Sequence, residues 1–146
     1  MNWTTSLACA ASLFCASSFA ASLTVEVHGL TSDKGDLVIN VYTSKKTWME
    51  DKQRDIFHQH IVTLKNEVTD GVITTNLDLP EGEYGLHIFQ DWDQNKEMDA
   101  NWLGIPREPV ATSNNAKGSM GPPRYKDAKF TLTSDGATQV VNIVEI

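Results

Sequence analysis

Along residues 22–29, SLTVEVHG, apolar and polar side chains alternate, with Leu23, Val25 and Val27 on one face and Thr24, Glu26 and His28 on the other. A period of two predicts a half-buried strand. The turn Ser32-Asp33-Lys34-Gly35 leads into DLVINVYT, where Leu37, Ile39 and Val41 repeat the alternation. IFHQHIVTL puts Phe57, Gln59, Ile61 and Thr63 on one face and Ile56, His58, His60, Val62 and Leu64 on the other. Asp70-Gly71 precedes VITTNLDL, and Pro80-Glu81-Gly82-Glu83 precedes YGLHIFQ. AKFTLTS, the turn Ser134-Asp135-Gly136 and TQVVNIVEI complete the series. About seven short strands between Gly, Asp and Pro turns predict an all-β fold, a single antiparallel β-sandwich of immunoglobulin-like or prealbumin-like type. Thr47-Trp48-Met49-Glu50 has the form of a capping box, which predicts a short helix or helical turn over 47–55.

Periodicity fails between Asp91 and Asp127. A structureless connection of that length is uncommon in a compact domain unless it is functional or disordered. Trp92, Trp102, Leu103, Ile105, Pro106, Met120 and Tyr125 are residues that pack, so the segment is expected to be one long ordered loop. Ordering its backbone costs about 1–2 kcal/mol per residue. Something must tie it down.

The first twenty residues, MNWTTSLACAASLFCASSFA, contain no charged side chain and end in Ser18-Phe19-Ala20, with small residues where a signal peptidase reads them. Residues 1–20 are therefore expected to be a signal peptide, although the basic n-region is missing. The remaining chain, 21–146, is expected to be a single domain that is periplasmic or secreted and has no transmembrane segment. Both cysteines, Cys9 and Cys15, lie in the leader, and neither has the flanking residues of a lipid anchor. The formal charge of −7 falls entirely on residues 21–146, which argues against nucleic acid and anionic membranes as partners because phosphate binding needs a basic surface. A cell-envelope component or a small ligand remains open as partner.

The one stretch with a specific chemistry is DWDQNKEMD, residues 91–99, with Asp91, Asp93, Asn95, Glu97 and Asp99 on alternate positions. Calcium takes six to eight oxygens, and loops that hold it supply them from alternate residues as the chain curls round the ion. These five residues are the expected metal ligands, Glu97 through its carbonyl, and Ca²⁺ is the expected ion. The segment is not an EF-hand: it follows a strand, Lys96 stands where glycine permits the sharp turn, and Trp102 stands where a closing Glu belongs. Further ligands would come from Asn101, Asn114, Asn115, Asp127 or water. The competing reading is a solvated acidic turn offset by Lys96 and Arg107.

Five ordered motifs carry a resemblance: Pro80–Tyr84 (PxGxY), Asp91–Asp99 (a D-x-N-x-N-G-x-x-D type loop), Asn101–Pro106 (N-x-x-G-I-P), Ser113–Ala116 (S-N-N-A) and Gly121–Pro123 (G-P-P). With the opening LTVEVHGLTSDKGDLVINVY, they make residues 21–146 resemble the small exported bacterial proteins grouped as domain of unknown function 2141. The resemblance implies an exported β-sandwich without an established activity. This chain departs from the family pattern at Asp93 and Lys96, where Asn and Gly are expected. The extra carboxylate favours cation binding, and the missing glycine strains the turn.

His58 and His60 share a strand face, a spacing that chelates zinc or copper if His28 or His87 supplies a third ligand, but a partly exposed strand face is the simpler reading. Nucleophile motifs are absent. Arg107, Arg124 and Lys117 with Trp92, Trp102 and Tyr125 would suit an anionic ligand or simply form the loop's own small core. The expected function is a binding or structural module with a calcium loop, and the alternative is a periplasmic, hydrolase-like enzyme using carboxylates of the 91–127 loop.

Overall fold

The computed structural model describes residues 19–50 and 52–146. Among them run eight strands: β1 (Ala20–His28), β2 (Asp36–Tyr42), β3 (His58–Thr63), β4 (Ile73–Pro80), β5 (Gly82–Asp91), β6 (Val110–Thr112), β7 (Phe130–Leu132) and β8 (Ala137–Asn142), with one helical turn, α1 (Tyr125–Ala128), before β7. They form two sheets, β4-β1-β8 and β3-β2-β5-β6, and β7 pairs with the first half of β5. Every pairing between these strands is antiparallel except β1 with β8. The sandwich core lies where the alternation put it: Leu23, Val25 and Val27 of β1 meet Leu37, Ile39 and Val41 of β2 and Leu86 and Ile88 of β5, all fully buried. Each such side chain stabilises the fold by about 1.5–3 kcal/mol.

The opposite face of β2 and β5 is buried too. Val38, Tyr42, His87 and Phe89 are at most 4% exposed, although alternation assigns that face to solvent. The segment after β5 folds across it, so the larger sheet is a middle layer. Trp48 is one anchor of this cover: its ring stacks edge-on against Tyr42 and Tyr125, and its Nε1 donates to the Pro123 carbonyl at 2.8 Å. Among the described residues of 47–55 the expected helical turn takes two short pieces: Glu50 N donates to the Thr47 carbonyl at 3.0 Å with Met49 left-handed at φ 56°, and a 3-10 turn follows at Gln53–Asp55.

The 91–127 segment is ordered but not structureless, since β6, a 3-10 turn at Ser113–Asn115 and the first residues of α1 lie within it. Ser113 fills the gap between β6 and β7 on the edge of β5. Its Oγ accepts from Leu86 N at 2.9 Å and donates to the Ala128 carbonyl at 2.5 Å. Asn114 and Asn115 both adopt positive φ, and their amides reach the Lys129 and Val140 carbonyls. Tyr84 closes the preceding turn on the Pro80 carbonyl at 2.7 Å. The expected signal segment, 1–20, lies outside the described residues apart from Phe19 and Ala20. Among the described residues no helix is long and apolar enough to cross a membrane.

Candidate metal centre

Asp91 is the last residue of β5 and stands opposite Asp36, the first of β2. Its position is fixed from below by Gln90, whose Nε2 donates to the Lys34 carbonyl at 2.8 Å and the Ser32 carbonyl at 3.2 Å. Gly35 completes that support. At φ +74°, a Cβ there would come within 2.0 Å of the Asp91 carbonyl oxygen, so only glycine lets the β1–β2 turn lie against the strand end.

Beyond Asp91 the chain curls back on itself. The Asp91 carboxylate accepts the amides of Asn95 at 3.2 Å and Lys96 at 2.7 Å. The Asn95 side chain donates to Asp93 at 3.1 Å and Asp99 at 3.2 Å, and its Oδ1 accepts from Glu97 N at 2.8 Å. The tight curl drives Gln94 and Lys96 to φ 59° and 67°. Left-handed backbone costs a side-chain-bearing residue about 1–2 kcal/mol, the strain expected from the missing glycine.

From the far side of the loop comes Glu108, 3% exposed, whose two oxygens accept Trp92 N at 2.8 Å and Asp99 N at 3.1 Å. Carboxylate oxygens of Asp91, Asp93 and Glu108 lie within 4.8 Å of one another, the only such grouping of acids, histidines or cysteines among the described residues. Asp91 and Glu108 are buried while Asp93 faces solvent, so the group opens outward on one side. Each carboxylate has about four acceptor sites, so oxygens that accept one amide keep capacity for an ion.

No described lysine, arginine or histidine forms an ion pair with any of the three. Lys34 is turned onto the Trp92 ring at 5.6 Å instead. Burial pushes the Asp91 carboxyl above its ordinary range, with Asp93 adding to the rise and the two amides opposing it. Burial likewise raises Glu108, against the Trp92 and Asp99 amides and with help from the charges of Asp99 and Asp91. The arrangement holds excess negative charge, and either protons or a cation must neutralise it.

Of the five expected ligands, Asp91 and Asp93 belong to this triad, Asn95 and Asp99 brace it, and the Glu97 side chain is exposed. Asn101, Asn114, Asn115 and Asp127 are engaged elsewhere: Asn101 caps its own turn, and Asp127 pairs with Arg124 at 2.8 Å. Glu108 was not legible in the sequence. It lies in REPV, outside any alternating pattern, and only the return of the chain brings it back. The histidines do not gather: His28 contacts Glu26, His60 bonds Thr75 at 2.9 Å, His58 is exposed, and His87 is buried on the middle sheet. Arg107, Arg124 and Lys117 are all exposed, and Trp102 points into solvent rather than lining a pocket with Trp92 and Tyr125.

No curated protein and no solved structure matches the chain at a significant level. A family model described as "Uncharacterized protein conserved in bacteria (DUF2141)" matches residues 25–141, and the chain therefore belongs to the DUF2141 family.

Proposed function

We propose that this protein is an exported β-sandwich binding or structural module whose Asp91–Asp99 loop, closed by Glu108, holds a divalent cation, Ca²⁺ by preference. The observation that carries the reading is the meeting of two buried carboxylates and an exposed one without a cationic side chain to offset them. Three hard oxygen donors with room for water suit calcium, and no nitrogen or sulfur donor joins them. The ion would knot the root of the long segment to its return limb and so hold the cover on the middle sheet. Export is supported by the apolar, uncharged residues 1–20 and by Ala21, the residue after the expected cleavage point, being the first core side chain among the described residues.

One observation favours the enzymatic alternative: two neighbouring carboxyls with raised pKa are the raw material of acid–base catalysis. Against it, two surface depressions, one between Ser22, Thr24 and the 134–138 turn and one along Lys117–Asp127, are lined by none of the triad. Thermal melts separate the readings. Free Ca²⁺ at about 100 times Kd adds roughly 2.7 kcal/mol to a protein that binds it only when folded. Millimolar Ca²⁺ should raise the melting temperature of chelator-stripped protein, Mg²⁺ should do less, and Asp91→Ala should abolish the effect. An unchanged melt removes the cation reading.

A further inference from the structure

Among the described residues, the turn Asn101–Ile105 carries the most exposed cluster of apolar side chains that adjoin in sequence: Trp102 is 89% exposed, Leu103 62% and Ile105 41%. We propose that this tip inserts into the interfacial layer of a zwitterionic lipid bilayer. The inference does not rest on the cation reading, because the tip is built from its own bonds.

Three features select lipid. First, the tip stands clear of the body: a Cβ at Gly104, φ +79°, would meet nothing within 4 Å. Second, four of its backbone amides are paired within the turn. Asn101 Oδ1 accepts the amides of Leu103 at 2.9 Å and Ile105 at 3.0 Å, the Asn101 carbonyl accepts Gly104 N at 2.9 Å, and Asn101 N donates to the Ile105 carbonyl at 2.9 Å. Unpaired amides are what keeps an ordinary loop out of a bilayer, and this loop has four of them paired internally. Third, the charge is placed for it. The tip itself, residues 100–106, carries no charge, and the charges begin only at the stem below the Ala100–Pro106 bridge, where the exposed Arg107 stands opposite Asp99 and can reach lipid phosphates when the tip enters. Trp, with Tyr, is enriched at this interface.

A convex tip needs no matching pocket in a partner. The net charge of −7 opposes strongly anionic surfaces, so attachment would be weak, reversible and nearly independent of salt. Arg107 N donates to the Asp99 carbonyl at 2.8 Å, which fastens the stem to the acidic loop and holds the tip's direction.

The test uses the full chain with phosphatidylcholine–phosphatidylethanolamine vesicles, some carrying brominated phosphatidylcholine. Trp102 emission is taken as the difference between the parent and Trp102→Phe. The expected result is a blue shift, protection from acrylamide and quenching by shallow bromines. The pair Trp102→Ser with Leu103→Ser should lower vesicle partition about tenfold or more without moving the melting temperature. Trp102 emission as open to acrylamide with vesicles as without them overturns the proposal, even if the apolar N-terminal segment carries the chain to lipid. Protection of Trp102 only when the chain self-associates in sedimentation also overturns it, and makes the tip a protein-docking surface instead.

Discussion

Glu108→Gln should change the sign of its effect with calcium. Glu108 is buried and within 4.8 Å of two other carboxylates, a distance at which two unit charges repel by about 3–4 kcal/mol at an effective dielectric of 20. Gln keeps the shape and one acceptor. It still takes one of the Trp92 and Asp99 amides and forfeits the other, at about 1–3 kcal/mol. In chelator the relief matches or exceeds the loss, so the variant should be as stable as the parent or more stable by about 1 kcal/mol. In saturating Ca²⁺ the parent gains about 2.7 kcal/mol that the variant loses with its ligand. The melting temperature of the variant should then fall below the parent's by roughly 5–10 °C. Paired thermal or urea melts in chelator and in millimolar Ca²⁺ read both signs. An equal loss of stability in both conditions would show that Glu108 is only an acceptor for two amides and no cation ligand.

Lys96→Gly should stabilise the protein by about 1 kcal/mol in urea melts, since Lys96 holds φ 67°; a loss of stability would mean its charge matters more than its backbone. Ser113→Ala should cost about 2–3 kcal/mol, because it leaves the buried Leu86 amide and Ala128 carbonyl without a partner, and a neutral result in denaturant would show that water replaces them. Burial lowers the His87 pKa to about 4 from 6.5, so the folded protein disfavours its charged form. The stability this group contributes is present above pH 6.5 and lost as pH falls towards 4, by about 3 kcal/mol in all. His87→Leu should flatten that limb of the stability–pH curve, and an unchanged slope would place the acid sensitivity elsewhere.

The strands and turns were legible because β1, β4 and β8 each present one face to the core and one to water, which is the condition for clean alternation. β2 was read correctly as a strand but not as a middle-layer one. Val38 and Tyr42 on its nominally polar face were the available signal, and Asn40 interrupts it. Asn40 itself is buried and accepts from Gln59 at 2.9 Å. β6 and α1 are too short, at three and four residues, to carry a period. At the site, local spacing revealed Asp91 and Asp93 because a tight curl brings alternate residues together. Glu108 escaped because its proximity depends on the return of the chain through the exposed turn at Asn101–Ile105, and no spacing rule reports that. The family motifs proved mostly structural: S-N-N-A stitches the sheet edge, and G-P-P sits beside the Trp48 anchor.

Calorimetric titration of chelator-stripped protein with CaCl₂, beside Asp91→Asn, decides whether the Asp91–Asp93–Glu108 group is a cation site. One Ca²⁺ per chain should bind to the parent, with no binding heat in the variant. No heat in the parent, or the same isotherm in both proteins, would mean that the three carboxylates hold no ion.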